Sequence, residues 1–290
     1  MTHESAPDFA PPAWFTHAIS VPCESRYVDA DGTAIHYLSW NEHETHKPGL
    51  LFAHGFRAHA HWWRFIAPFF TERFRVVALD FGGMGDSGSR SEYTEETYVR
   101  DLLAVMAHAG FERPVLVGHS FGGARVLHTC AEHPDRVGRA VIVDSHLHMH
   151  DGAPRLESSE LRPKKIYPTY EAARARFRLI PPENRAAPYI INYVAEHSIK
   201  RVDDGYTWKF DDARPRLARG RNVSSLMARI VTPVSYMYGD DSAIAPHAHA
   251  AEIVAAIPNC RGPIEIPESH HHVLLDQPLS LVSALRALLY

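Results

Sequence analysis

The run Gly118-His119-Ser120-Phe121-Gly122-Gly123 stands between a short apolar stretch, Val115–Val117, and a helical pattern from about Phe121 to Glu132. It is a G-x-S-x-G sequence in the context where it carries chemistry, a strand passing through a tight turn into a helix. A residue at the tip of so sharp a turn is strained. Its neighbours two positions away must be small for strand and helix to approach, and Gly118 and Gly122 meet that need. The Ser120 hydroxyl is then expected at the carboxyl end of a parallel sheet, where open α/β folds place ligands. The helix N-terminus beneath it favours developing negative charge.

The pattern around this turn agrees. Arg26–Asp29 and Thr33–Trp40 flank Asp31-Gly32, a hairpin signal. Gly49–Ala53, Phe74–Leu79, Val115–Val117, Ala140–Val143, Val234–Tyr238 and Pro263–Ile266 read as short buried strands. Between them lie helical patterns at His61–Phe70, Thr94–Ala109, Phe121–Glu132, His247–Ile257 and Leu279–Leu289. Wholly apolar strands alternating with helices predict a mostly parallel sheet of eight strands, covered by helices on both faces. From Ser145 to about Arg229 no clear buried strand is visible, and the stretch far exceeds the ~15 residues of an ordinary loop. It is expected to be an inserted helical lid, 145–229, on a core made of 1–144 and 230–290.

Composition narrows the function classes. Lys plus Arg is 30 and Asp plus Glu 34, a net charge of −4, which argues against nucleic-acid binding as the main role. The chain has only 3 cysteines, outside any CxxC pattern, so neither a disulfide framework nor a cysteine-rich zinc site is expected. Met1–Pro12 shows no apolar leader, and no apolar run is long enough to span a bilayer. A cytoplasmic protein without a membrane partner is expected. The 21 histidines are in excess, and His146, His148 and His150 share one face at strand spacing. With no fourth ligand evident, they read as polar residues at the lid hinge rather than a metal site. No metal and no cofactor are expected. His59 and His61 read as surface or pocket-rim residues.

Four motifs together resemble the α/β-hydrolase superfamily over nearly the whole chain from about Arg26 to Tyr290. They are His54-Gly55-Phe56 after the third strand, Asp80-Phe81-Gly82-Gly83-Met84-Gly85-Asp86-Ser87 after the fourth, the serine turn, and His271…Asp276-Gln277-Pro278. The resemblance implies an oxyanion hole formed by the Phe56 and Phe121 N–H groups. It gives His54 a bracing role in its loop. It also implies a catalytic histidine seven residues before the proline that opens the last helix. Counting back from Pro278 gives His271, flanked by His270 and His272.

The acid departs from the pattern. The resemblance places it three residues after the glycine that ends the seventh strand, and Ser242 stands there. Two repairs are open. Asp144, at the end of the sixth strand, can approach the histidine from the other side and is taken first. Asp241 is the alternative, and Asp240 follows it. The triad depends on side-chain placement and not on chain order.

The expected activity is serine hydrolysis of a carboxylic ester through an acyl-enzyme, on a small to medium, partly apolar substrate. Lactones, carbon–carbon bonds and amides are alternatives on the same triad, and a non-catalytic ligand binder is the alternative outside enzymes. A serine at the elbow argues against the dehalogenases and epoxide hydrolases of this superfamily, which use an aspartate there. Trp62, Tyr167, Phe177, Tyr193 and Trp208 are expected to line the substrate site. The basic run Arg174, Arg176, Arg178 reads first as a solvated face and second as a site for an anionic substrate. The oligomeric state, monomer or homodimer, is left open.

Overall fold

The computed structural model describes residues 10–151, 164–211 and 222–290. The N-terminal 1–9 and the stretches 152–163 and 212–221 of the expected lid lie outside them. An eight-stranded sheet runs in the order β1-β2-β4-β3-β5-β6-β9-β10. These strands are β1 (Glu24–Ala30), β2 (Thr33–Trp40), β3 (Gly49–Ala53), β4 (Arg75–Leu79), β5 (Val115–His119), β6 (Arg139–Val143), β9 (Val234–Gly239) and β10 (Arg261–Ile266). β1 and β2 pair antiparallel, as does β2 with β4; every pairing from β4 to β10 is parallel.

Alternation along each central strand explains why both faces are covered. Leu51 and Ala53 of β3, Val77 and Leu79 of β4, and Ala140 and Ile142 of β6 enter one core. Their neighbours Leu50, Phe52, Val76, Ala78, Val141 and Val143 enter the other. Strands buried on both faces need helices on both. Helices α2 (Glu95–His108), α3 (Phe121–Glu132) and α7 (His247–Ala256) cover the first face. Helices α1 (Ala13–Ser20), α8 (Val273–Asp276) and α9 (Pro278–Leu289) cover the second. α2 begins with a reciprocal cap in which the Thr94 and Thr97 hydroxyls each accept from the other residue's N–H.

Three local expectations change. His61–Phe70 is not one helix but two short 3-10 turns, Ala60–Trp62 and Ala67–Phe70, the second carrying Pro68, which cannot donate to a longer helix. The amphipathic α1, which buries Phe15 and Ala18, was not anticipated. Between β6 and β9 the described residues hold α4 (Tyr170–Arg174), α5 (Pro188–His197) and α6 (Ser224–Met227), together with a hairpin the sequence reading missed. That hairpin pairs β7 (Ile199–Val202) with β8 (Gly205–Trp208). Asp203 and Asp204 make its turn, and Gly205 follows at φ 140°, a backbone that side chains disfavour. Its strands are mixed in polarity and only partly buried, which hides them from a search for apolar runs.

The three cysteines are free thiols. Among the described residues no helix is long and apolar enough to cross a membrane.

Candidate active site

Ser120 is the residue between β5 and α3, at φ 52° and ψ −117°. Its left-handed backbone is held by a bond from its N–H to Val143 O (2.9 Å) and by Ser145 Oγ donating to its carbonyl (2.8 Å). Such strain persists only where the surroundings fix it, and it turns the side chain outward. The steric demand of the turn is visible atom by atom. A Cβ at Gly118 would lie 2.6 Å from Gly123 Cα, and one at Gly122 would lie 2.5 Å from Ala53 O. Neither approach tolerates a side chain.

His271 comes from the loop between β10 and α8. Its Nε2 is 2.9 Å from Ser120 Oγ, and its Nδ1 is 2.6 Å from Asp144 Oδ1. Asp144 immediately follows β6, is fully buried and is also left-handed, at φ 47°. Its carboxylate accepts from three groups: His271 Nδ1, Ser242 Oγ (2.8 Å to Oδ1) and Gly239 N (2.9 Å to Oδ2). Three donors thus hold the two carboxylate oxygens in place.

The other carboxylates go elsewhere. Asp241 faces Arg185 Nη2 at 2.6 Å, and its side chain is 46% exposed. Asp240 accepts from the N–H groups of Glu268 (3.0 Å) and Ser269 (2.9 Å), so it pins the loop that carries His271. Ser242, in the position where an acid was sought, spends its hydroxyl on Asp144 and accepts from Ala245 N at 3.2 Å.

The loop after β3 brings the other half of the site. A Cβ at Gly55 would lie 3.5 Å from Ser120 Cβ, so the His54-Gly55-Phe56 turn runs against the serine. His54 Nδ1 donates to Gly55 O (2.7 Å) and its Nε2 accepts from Phe81 N (3.1 Å). Both ring nitrogens are thus spent on loop geometry, and burial holds the imidazole below its ordinary range. The Phe56 and Phe121 rings lie 5.6 Å apart. Phe121 is the first residue of α3, where the helix leaves N–H groups without an intrahelical acceptor.

Two further histidines frame His271. His119 Nε2 lies 2.9 Å from His271 O, and His272 Nε2 lies 3.0 Å from Pro181 O. A carbonyl only accepts, so each Nε2 carries the proton. Burial pushes His119 well below its ordinary range and His272 down to about 3. Both are neutral at physiological pH. One ring nitrogen each of His119, His271 and His272 lies within 4.8 Å of the others, as do donor atoms of His36, Asp80 and Asp86; these are the two groups among the described residues that could hold a metal ion. In the first, the His271 nitrogens already bond Ser120 and Asp144. In the second, Asp80 already accepts from His36 Nδ1, Ala60 N and Asp86 N. His146, His148 and His150 form no such group: His146 bonds Ile244 O and His150 pairs with Glu252.

A cavity of about 500 Å³ opens over Ser120 and His271. Trp62, Phe177 and Trp208 line it, joined by Phe210, Leu179 and Ile180. Tyr167 and Tyr193 do not line it. Tyr167 is held by an isolated bridge to Tyr206, its ring edge-on to Trp208 at 6.0 Å. Tyr193 faces the core, packing on Phe15 (5.8 Å) and bonding His61 Nδ1 (3.0 Å). His59 is also not a rim residue. It is 2% exposed and donates from Nε2 to Ser198 Oγ at 2.8 Å. His59, His61 and Tyr193 thus form the seam on which α5 rests. Sequence reasoning missed Arg57, which lines the cavity beside Phe56, and placed Arg176 and Arg178 first on a solvated face, although both line the cavity. Arg57 follows the His54-Gly55-Phe56 motif directly, which was the available signal.

A family model described as "alpha/beta hydrolase fold" matches residues 48–171. The chain has the α/β-hydrolase fold. Epoxide hydrolase 4 of Homo sapiens is 28% identical over 138 residues, 46% of this chain and 37% of that protein. The first curated relatives are matched over only 37%, 31% and 38% of their own lengths, so the chain spans about a third of each. An esterase of Mycobacterium tuberculosis is 25% identical over 88% of this chain and 86% of its own length. Its solved structure superposes with a TM-score of 0.72 at 22% identity, covering 96% of both chains. A thioesterase domain from the curacin biosynthetic pathway gives a TM-score of 0.75 at 19% identity, covering 91% of this chain and 99% of its own.

Proposed function

We propose that the protein is a serine hydrolase that cleaves a carboxylic ester through an acyl-enzyme. The observation that carries this reading is the unbroken line of hydrogen bonds from Ser120 Oγ through His271 to the buried carboxylate of Asp144. Ser120 Oγ attacks the carbonyl carbon while His271 Nε2 takes its proton. Asp144 keeps the Nδ1 tautomer and stabilises the imidazolium. The Phe56 and Phe121 N–H groups receive the oxyanion. Collapse expels the alcohol, which leaves with the proton from His271. Water then attacks the acyl-enzyme, giving a proton to His271, and the acid departs as Ser120 regains its hydrogen. The segment between β6 and β9 serves as the lid, and its Phe177, Trp208 and Phe210 rings suit a partly apolar substrate.

Several partial relatives are named epoxide hydrolases or a dehalogenase. The serine at the elbow favours acyl transfer instead, and a relative matched along most of its length is named an esterase.

The test is turnover of p-nitrophenyl butyrate together with labelling by a fluorophosphonate. Wild type is expected to turn over the ester and to be labelled on Ser120, and Ser120→Ala to do neither. Turnover that survives Ser120→Ala ends the serine mechanism. Inertness of wild type in both assays favours a non-catalytic binder.

A further inference from the structure

The cavity over Ser120 is walled mainly by rings. Phe56, Trp62, Phe177, Trp208 and Phe210 line it, against two larger aliphatic side chains, Leu179 and Ile180. Aromatic residues are 10% of the chain, so the concentration is local. Ile180 is 73% exposed and stands at the mouth, which leaves Leu179 as the aliphatic part of the wall.

Three of the rings form one surface. The Trp208 centroid lies 6.2 Å from that of Phe177 and 6.4 Å from that of Phe210, whose plane is within 9° of its own. All three are only partly buried. Partly covered rings in a cleft offer their faces and edges to a further ring at separations of about 4.5–7 Å. Ring faces and edges carry opposite partial charge, so such a wall tells an aromatic ring from a saturated one of similar size.

The rings are also held in place. Trp208 and Phe210 alternate with Lys209 and Asp211, as side chains on extended backbone do. The alternate side chains tie this segment to the core loop after β4. Lys209 Nζ is 2.7 Å from Asp86, and Asp211 accepts from Ser89 Oγ (3.0 Å) and from the Tyr93 hydroxyl. Lys164 Nζ pairs with Asp211 as well, at 2.7 Å. The backbone adds a bridge between Met84 and Phe210 and a bond from Asp211 N to Gly83 O (2.7 Å). The Arg57 guanidinium lies over the Phe210 ring at 4.8 Å and adds to the hold. Rings fixed in this way lose little freedom when a substrate arrives, the condition under which buried contacts become affinity.

We propose that the natural substrate is an ester carrying an aromatic ring, which packs against Trp208 and Phe177 while its carbonyl meets Ser120. This rests on the serine-hydrolase reading for the reaction but not for the ring site.

The experiment uses two matched pairs of alkyl esters, with hydrolysis followed by proton release so that no nitrophenyl group competes for the site. Methyl 3-phenylpropanoate is compared with methyl 3-cyclohexylpropanoate, and 2-phenylethyl acetate with 2-cyclohexylethyl acetate. The pair that discriminates shows whether the ring lies on the acyl or the alcohol side. The cyclohexyl ester has the larger apolar surface in each pair, so burial alone favours it. In wild type at least one phenyl ester is expected to exceed its cyclohexyl partner in kcat/KM by about 3- to 10-fold, the effect of one or two ring contacts. That ratio is expected to fall to about 1 or below in Trp208→Leu, and by about twofold or more in Phe177→Leu. Phe177 lies outside the β7–β8 hairpin and keeps the test open should Trp208→Leu fold poorly. Ratios near or below 1 in both pairs, or a ratio indifferent to both variants, overturn the proposal. Calorimetric binding to Ser120→Ala of the ketones in which CH₂ replaces the ester oxygen separates the two readings. A preference for a phenyl ketone that Trp208→Leu removes, in a protein whose wild type turns over no ester, supports the ring site and removes the hydrolase. Ester turnover with no phenyl preference in hydrolysis or in ketone binding does the reverse.

Discussion

Replacing Asp144 by Asn removes one charge and keeps the shape. The buried carboxylate accepts from His271 Nδ1 and Ser242 Oγ on one oxygen and from Gly239 N on the other. An amide has only one oxygen for these two sides. If that oxygen faces His271, the amide NH₂ opposes Gly239 N–H. If the amide flips, its NH₂ faces His271 and drives the imidazole proton to Nε2, where the ring no longer accepts from Ser120. In both cases the counter-charge for the imidazolium is lost. With charge centres about 4 Å apart and an effective dielectric of about 20, that interaction is about 4 kcal/mol, or about 10³ in kcat. The expected result is a 10³- to 10⁴-fold loss of kcat on p-nitrophenyl butyrate, slow but detectable labelling of Ser120, and an unchanged circular dichroism spectrum. Asp241→Asn, which disturbs only a half-exposed pair with Arg185, is expected to stay within about twofold of wild type. The double variant Asp144→Asn/Ser242→Asp is expected to regain about tenfold over Asp144→Asn, because Ser242 Oγ already lies 2.8 Å from the Asp144 carboxylate. If Asp144→Asn kept more than a tenth of the activity while Asp241→Asn lost it, the assignment of the acid to Asp144 would be refuted.

Stability is expected to fall steeply on mild acidification. Burial lowers His59 and His272 to about 3 in the folded state against 6.5 for the free side chain, so below 6.5 the unfolded chain binds more protons and is favoured. Each group costs about 1.4 kcal/mol per pH unit between those values, and urea titrations at pH 7.0 and 5.5 should show it; a flat profile would contradict it. Asp80→Asn is expected to lower stability by about 3–5 kcal/mol, read as a drop in Tm, because it strips the buried His36 of the carboxylate that bonds Nδ1 at 2.7 Å. Gly122→Ala should cost about 1–3 kcal/mol and slow Ser120 labelling, since its methyl would press on Ala53 O; wild-type labelling would show that the turn can relax.

The proposed nucleophile, Ser120, was legible because its constraint is local. Gly118 and Gly122 are required by contacts within one turn and the adjoining strand, and these follow from spacing alone. The proposed acid was legible only as a choice, with Asp144 taken first and Asp241 as the alternative, because its position depends on two strands far apart in sequence. β6 and β9 are parallel neighbours in register from Ala140↔Val234 to Val143↔Met237. The residue just after β6 and the third residue after the end of β9 therefore converge, and Asp144 and Ser242 meet at 2.8 Å. Spacing counted along either strand alone does not contain that meeting. The cavity wall was half legible for the same reason. Trp62 lies close to the His54-Gly55-Phe56 turn in sequence, whereas Tyr193 packs on α1, a helix whose pairing with α5 no local pattern announces.

Four of the 21 histidines share one task, bracing loops. His54 donates to Gly55 O, His119 to His271 O, His272 to Pro181 O, and His59 to Ser198 Oγ. Each supplies a flat apolar body and one N–H, and burial keeps each of them uncharged. A lysine or arginine in these places would bring a fixed positive charge beside the serine and weaken the base. An amide would fill less space and offer no ring to pack. Neutral imidazoles pin the loops around Ser120 without adding to its electrostatics, and His271 differs from them in the one respect that chemistry needs, a buried carboxylate on its Nδ1 side. The cost is acid sensitivity, since every imidazole held neutral by burial is a site that the unfolded chain protonates first.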